Sequence, residues 1–334
     1  MSLTVPAGYR SLLDLRQTEV AIKKVKDFFE RDLAIELNLT RVSAPLFVPV
    51  GSGLNDTLNG VERPVGFDIG ENGCEAEIVQ SLAKWKRYAL GVYNFEPGEG
   101  LYTDMNAIRR DEDTDNIHSI FVDQWDWEKI ITRADRTRET LEKTVRRIYE
   151  VIKHTERYIA DDYDFAGRML PEKITFITAE ELYQKYPDKT AKEREYLAAR
   201  EYGAIFLEQI GGKLSCGKPH DGRAPDYDDW DLNGDIIVYY PVLDIALELS
   251  SMGIRVDEES LMRQLEERGC TERTALPFHA ALLRGELPYT IGGGIGQSRL
   301  CMFFLRKAHV GEVQSSIWPP ETVKACRENG IQLL

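Results

Sequence analysis

Three short segments carry side chains suited to phosphate and acyl chemistry. The first runs Arg109-Arg110-Asp111-Glu112-Asp113 and resumes, after a polar stretch, at Phe121-Val122-Asp123-Gln124-Trp125-Asp126-Trp127-Glu128. An arginine ending one strand and an aromatic ring starting the next can hold a phosphate and stack a base. The second segment sets Asp235 before Glu248-Leu249-Ser250-Ser251-Met252-Gly253-Ile254-Arg255. Carboxylates on neighbouring strands suit a hard cation such as Mg²⁺, which takes one or two acids together with substrate phosphates. The third is the glycine run 292–296 with Gln297, Ser298 and Arg299. Glycines let a backbone approach a ligand closely, and Arg299 can then reach a phosphate or lie over a purine. Taken singly, each has an ordinary explanation: a charged hairpin tip, a surface ion pair and a glycine-rich turn.

Other tempting patterns fail. Gly211-Gly212-Lys213 ends like a P-loop, but Leu207 and Leu214 stand where glycine and Ser/Thr belong. Asp229, Asp231, Asn233 and Gly234 begin like a calcium loop whose twelfth position is Tyr240 rather than Glu. Gly294 and Gly296 lack the third glycine of a dinucleotide fingerprint, since Arg299 occupies that place. The five histidines show no ligand spacing.

The elements that must position these residues are partly visible. Ile22, Val25, Phe29 and Leu33 follow one helix face, predicting a helix over 16–37. Val42–Val50 with Pro45 reads as extended. Glu75–Gln80 reads as a strand, with Ser81 capping a helix over 82–90 that Gly91 ends. Leu141, Val145, Ile148, Ile152 and Ile159 mark a helix over 133–161. Capping boxes at Thr178–Glu181 and Thr190–Glu193 open two more, the second closed by Gly203. Ala204–Gln209, Asp235–Tyr240 and Ile245–Ser250 read as strands, and Ser298–Lys307 as a helix after the glycine run. Hairpin-compatible strands with helices gathered between them predict an α+β fold, a central mostly antiparallel sheet flanked by helices.

Composition narrows the function. The chain has 334 residues and a net charge of −14, which argues against a general nucleic-acid binder but not against a small polyanion. Charges interrupt every apolar run before it reaches membrane-spanning length. Met1–Leu13 lacks the basic-then-apolar layout of a secretory signal, and five scattered cysteines suit a reducing compartment. The expectation is a soluble, cytoplasmic protein.

In combination and in order, the three segments resemble the signature motifs of class II aminoacyl-tRNA synthetases, aspartyl type, with Pro45 resembling the dimer-interface motif. Closer still is the resemblance to ammonia-dependent asparagine synthetase (aspartate–ammonia ligase). It rests on Ser81-Leu-Ala-Lys-Trp-Lys-Arg87, Gly98–Tyr102, Val122–Trp127, Arg223-Ala-Pro-Asp-Tyr-Asp-Asp-Trp230 and Gly292–Arg299, and extends over nearly the whole chain. Two departures are a short stretch between Trp230 and Gly234 and Cys216 where an acid is expected.

The resemblance implies a class II synthetase-like catalytic core, one domain over 1–334 without an anticodon-binding domain, working as a homodimer. It implies that aspartate, ATP and ammonia give asparagine, AMP and pyrophosphate through β-aspartyl-adenylate, with Mg²⁺ and with neither nucleic acid nor membrane as partner. Arg109 would hold the α-phosphate, and Arg299 would clamp the far phosphates or pack on adenine with Phe121 on its other face. Tyr227, Asp228 and Glu248 complete the nucleotide set, and Asp235 and Glu248 would bind the metal. Lys86 and Arg255 would grip the α-carboxylate of a reversed aspartate, with Ser81, Gln124, Asp126 and Ser251 beside it. Asp56 and Asp228 are the candidates for holding ammonium and accepting its proton. Alternatives are aspartate transfer to tRNA and a non-catalytic binding subunit. Glutamine-dependent transfer is disfavoured, since no cysteine sits beside a partner histidine.

Overall fold

Asp14 opens the chain's first helix. Its side chain accepts from Gln17 N while Gln17 reaches back, closing a capping box. The computed structural model describes residues 3–56, 58, 62–71 and 73–334, so Met1 and Ser2 of the opening segment lie outside it. Helix α1 (Leu15–Leu37) buries Ile22, Val25, Phe29 and Leu33, the face its spacing predicts. Three short strands follow, β1 (Leu39–Arg41), β2 (Phe47–Pro49) and β3 (Gly66–Ile69), then β4 (Cys74–Ile78). Helix α2 (Ala83–Val92) leads into the hairpin β5 (Gly100–Ile108) and β6 (Phe121–Ile130). Next come α3 (Arg138–Asp162), β7 (Thr175–Thr178), α4 (Ala179–Lys185), α5 (Ala191–Tyr202) and β8 (Ala204–Glu208). The long pair β9 (Asp228–Tyr240) and β10 (Ile245–Arg255) precedes α6 (Glu258–Arg268), α7 (Pro277–Leu283), β11 (Thr290–Gly296), α8 (Gln297–Phe304) and α9 (Pro320–Glu328).

Among the described residues, eight strands form one mixed sheet in the order β1-β5-β6-β11-β10-β9-β8-β7. The pairings from β5 through to β8 are antiparallel, while β1 on β5 and β7 on β8 are parallel, so each edge carries a parallel strand. The architecture is α+β. A smaller sheet, β2-β4-β3, stands apart.

Strand alternation divides the large sheet into a core face and a site face. On β6, Trp125 and Trp127 enter the core with α1, α3 and α8, and Phe29 lies 4.8 Å from Trp125 ring to ring. Gln124, Asp126 and Glu128 therefore point the other way. On β10, Leu247 and Leu249 are core residues, but so are Met252 and Ile254. The change of parity comes from a bulge, where Glu248 and Ser250 oppose the consecutive Ile237 and Ile236. The extra residue re-aims the strand so that Glu248, Ser251 and Arg255 share the site face.

Several boundaries differ from the sequence expectation. Helix α2 runs through Gly91 to Val92, and its N-cap is Leu82, although Ser81 Oγ accepts from Ala83 N at 3.1 Å. The extended reading of 42–50 holds as a strand only at Phe47–Pro49. The long third helix starts at Arg138 after a 3₁₀ turn, Arg133–Asp135. Strand β9 begins at Asp228, seven residues ahead of Asp235, and passes through the calcium-loop look-alike without turning. The glycine run is the strand β11, and α8 stops at Phe304.

Candidate active site

A cavity of about 400 Å³ opens on the site face. Thirteen of the fourteen residues singled out from the sequence line it: Asp56, Ser81, Lys86, Arg109, Phe121, Gln124, Asp126, Tyr227, Asp228, Glu248, Ser251, Arg255 and Arg299. The fourteenth, Asp235, lies behind Arg223, which lines the cavity and forms an ion pair with it. Direct contact of Asp235 with the cavity therefore does not hold, because a guanidinium from the loop before β9 stands in the way.

The floor is a buried charge cluster. Lys86 Nζ donates to the Gly293 carbonyl at 2.9 Å and lies 3.2 Å from Asp126 and 3.9 Å from Glu128. Arg255 donates from Nε to both Glu128 oxygens at 2.9 and 3.1 Å, from Nη2 at 2.7 Å, and from Nη1 to Asp228. Burial works to raise Glu128, but Arg255 and Lys86 hold it below its usual value. Burial lowers Lys86 against the pull of Asp126. Asp228 ends above the ordinary carboxylate range because burial outweighs Arg255 and Arg223. Two cations thus face three acids, and Asp126 Oδ1 is buried without a hydrogen-bond partner among the described residues. The floor is poised for a ligand carrying both an anionic and a cationic group.

Strand β11 makes room for this cluster. It crosses between β6 and β10, with Gly292 opposite Glu128 and Gly253, and Gly294 opposite Asp126 and Ser251. A Cβ at Gly292 would overlap the Glu128 carboxylate, and one at Gly294 the Gln124 amide. Only a strand without side chains lets these groups lie flat across the sheet.

The end of the cavity lined by Arg109 and Arg299 is less crowded. Arg109 follows β5, tied by its N–H to the Ile120 carbonyl at 2.9 Å, and its Nε is buried without a hydrogen-bond partner among the described residues. Arg299, in the first turn of α8, donates to the Glu248 carbonyl at 3.1 Å and lies 4.0 Å from the Glu248 carboxylate. Asp123 Oδ1 accepts from Ser298 N at 3.1 Å, and its other oxygen meets Lys26 of α1 at 3.1 Å, fixing the start of the helix that carries Arg299. Burial lifts Asp235 strongly against the pull of Arg223, and the facing Glu248 adds to the rise. Its Oδ1 is buried and unpartnered. Asp235 and Glu248 are the acids at this end of the cavity, and Arg223 already occupies one oxygen of Asp235. Among the described residues no group of three or more His, Cys, Asp or Glu forms a self-sufficient metal cage.

The three acids of 226–229 separate. Asp228 faces Arg255, Asp229 points to Arg136 at 2.9 Å, and Asp226 turns to Lys84, Arg273 and His279. Asp56 is buried at the cavity wall, where Leu58 N reaches Oδ1 at 3.0 Å while Oδ2 has no hydrogen-bond partner among the described residues. Burial pushes it up to about 6 despite Lys84. Tyr227 is raised well above its usual value by burial, with Asp56 and Asp228 adding to the effect, so its hydroxyl keeps its proton. Cys216 sits exposed on a turn, outside the cavity lining.

Sequence reasoning missed Glu128, Arg223 and Asp123. Period two from Gln124 and Asp126 would have found Glu128. Nothing local marks Arg223 as the partner of an acid twelve positions on.

A family model for aspartate-ammonia ligase matches residues 16–330. The aspartate–ammonia ligase of Clostridium perfringens is 64% identical over 333 residues, covering 99% of each chain, and that of Fusobacterium nucleatum is 65% identical over 327, covering 98% and 100%. Among solved structures, the asparaginyl-tRNA synthetase of Entamoeba histolytica in complex with asparaginyl-adenylate superposes with a TM-score of 0.63 at 14% identity. The match covers 90% of this chain and 66% of that one. The aspartyl-tRNA synthetase of the same organism gives 0.62 at 16%, over 93% and 61%. At such identity the two synthetases show a shared fold.

Proposed function

The chain belongs to the aspartate–ammonia ligase family, and from that premise we infer that it amidates L-aspartate with ammonia, cleaving ATP to AMP and pyrophosphate. A side-chain carboxylate oxygen of aspartate attacks the α-phosphorus, and the bond to pyrophosphate breaks. Ammonia then adds to the acyl carbon of β-aspartyl-adenylate, gives up a proton, and AMP leaves. The observation that carries the assignment of roles is the buried meeting of Lys86 and Arg255 with Asp126, Glu128 and Asp228.

Aspartate has a carboxylate at each end. Lys86 and Arg255 bind the α-carboxylate by charge-assisted hydrogen bonds, leaving the β-carboxylate toward Arg109. The unpartnered Asp126 Oδ1 receives the amino group, with Ser81, Gln124 and Ser251 completing the pocket. Arg109, with a free buried Nε, neutralises charge building at the α-phosphate. Phe121 and Arg299 take the two faces of adenine or, in the case of Arg299, the far phosphates, beside Tyr227 and Glu248. Asp235, through its bare Oδ1, and Glu248 would hold Mg²⁺, which would supply charge neutralisation on the phosphates. Asp56 and Asp228, both at the cavity and both raised by burial, hold ammonium and accept its proton.

The chain acts as one catalytic unit, cytoplasmic and dimeric. Its five free thiols suit a reducing compartment. The exposed Leu46, Phe47, Val50 and Phe67 on and beside the small sheet suit burial against a second copy. Among the described residues no helix is long and apolar enough to cross a membrane.

The test is pyrophosphate release from ATP, Mg²⁺ and aspartate, with ammonium, glutamine or tRNA added separately. Ammonium-dependent release with asparagine formed is expected. Turnover driven by tRNA alone would overturn the reading. Asp228→Asn should keep ATP–pyrophosphate exchange and lose amide formation, and equal loss of both would remove Asp228 from the second step.

A further inference from the structure

Behind the cavity wall lies a second charge cluster that the catalytic roles above do not use. Asp226 Oδ2 is met by Lys84 Nζ at 3.1 Å, Arg273 Nη1 at 3.1 Å and His279 Nε2 at 2.9 Å. Its Oδ1 is buried with no hydrogen-bond partner among the described residues. Crowding three donors onto one oxygen while the other is left bare is poor satisfaction for a group whose only task is to hold the fold. Asp56 likewise leaves Oδ2 without a hydrogen-bond partner among the described residues.

The two acids are built on shared supports. Gln80, just ahead of α2, donates to the Asp56 carbonyl at 3.0 Å, and Asn55 Oδ1 accepts from both Gln80 N and Asp56 N. Gly53, at φ +76°, lies so close to α7 that an added Cβ would come 3.2 Å from His279 Nδ1. The loop carrying Asp56 is thus pinned to the elements that supply Lys84 and His279. The charged and titratable groups acting on or around Asp56 are Lys84 from α2, Arg109 after β5, Asp226 and Tyr227 before β9, Arg273 from the 3₁₀ turn Thr271–Ala275, and His279 from α7. Lys84 is the strongest cation in this set, and Asp226 opposes it.

We propose that Lys84 and Asp226 are positioning residues for the ammonia step, Asp226 anchoring the Lys84 ammonium beside Asp56 so that the pair sets the charge with which Asp56 meets ammonium. The inference rests on Asp56 acting as the base. Lys84 favours the carboxylate of Asp56. Asp226 disfavours it, directly and by neutralising Lys84. Removing the two groups must therefore shift Asp56 in opposite directions, which a purely structural role would not do.

The experiment follows single-turnover amide formation from preformed adenylate at saturating ammonium, and ATP–pyrophosphate exchange, both across pH. The ionisation of free ammonium is common to all variants and cancels in the comparison. Lys84→Gln should move the acid limb of amide formation up by about one pH unit, and Asp226→Asn should move it down by a similar amount. Lys84→Arg, which keeps the cation, should restore the wild-type limb, and the exchange profile should keep its shape throughout. If Lys84→Gln does not fold, Arg273→Gln removes a partly exposed cation of the same cluster and should give a smaller upward shift. Shifts of the same sign, no shift in either variant, or equal shifts in both half-reactions would overturn the proposal. Asp56→Asn separates the premise from the inference. If the acid limb survives in that variant, Asp56 is not the base. If the limb is lost there but Lys84 and Asp226 variants do not diverge, Asp56 stands and the positioning role falls.

Discussion

The buried cluster around Arg255 and the one around Glu312 use the same kinds of side chain to opposite ends. In the second, Lys307 Nζ donates to Ser11 Oγ at 2.6 Å and Thr18 Oγ1 at 2.8 Å and lies 4.0 Å from Glu312. Glu312 accepts from Ala308 N, His309 N and the Tyr9 hydroxyl, and Tyr240 donates to the Lys307 carbonyl at 2.6 Å. One cation meets one acid, each oxygen of Glu312 has a donor, and the network staples the N-terminal segment to the end of α8. Around Arg255 an acid is in excess, and Asp126 Oδ1 is left bare, as is Arg109 Nε farther along the cavity. Satisfied polar groups hold a fold, whereas bare ones cost stability unless a ligand completes them. At the cavity the bare atoms are ones that a bound ligand can complete, whereas the Lys307–Glu312 pair leaves no charged oxygen open.

The sharpest way to break that contrast is Lys86→Ala. It should lower kcat/KM for aspartate by about a thousandfold, mostly through KM, because a charge-assisted grip is lost and Asp126 is left unpaired. KM for ATP should stay within about threefold, and an equal loss for both substrates in pyrophosphate-release assays would end the distinction. Lys307→Met belongs to the other cluster. It should cost about 3 kcal/mol in denaturant unfolding, as expected for breaking a buried ion pair, with both KM values unchanged. A kinetic defect there would mean that the staple also shapes the site.

The smallest effect concerns His309, fully buried and pushed down by burial to about 4. Its folded value lies below its unfolded one, so the unfolded chain binds the extra proton first. Stability is complete above the unfolded value and drains as pH falls toward the folded one. Between pH 7 and 5.5 the wild type should lose about 1 kcal/mol more than His309→Gln. Identical pH dependence of unfolding in the two proteins would show that His309 is not held neutral by the fold.

Much of this was legible in the residues, for definable reasons. Helix α1 announces itself because apolar side chains at Ile22, Val25, Phe29 and Leu33 repeat with the helical period. Strand β11 does not, since residues 292–294 have no side chains to alternate, and its extended state comes from pairing with β6 and β10. The first half of β9 hides likewise, because Asp231 to Gly234 has turn chemistry that ladder pairing overrides. Motif segments marked the cavity residues. The guanidinium screening Asp235 and the trio on Asp226 are invisible in the sequence because their partners come from separate elements, up to 142 positions away for Lys84. The bulge at Leu249 is hidden too, yet it decides which side of β10 faces the cavity.

The glycine floor has a consequence for how the pocket can change. Any substitution at Gly292 or Gly294 adds bulk against Glu128 or Gln124, so these positions offer no graded variation to selection. Mutant libraries seeking altered substrate choice should yield survivors at the rim, such as Ser81, Ser251 and Gln124, and silence along β11. The strand that brings least chemistry to the pocket is thus one whose side chains have no room to grow.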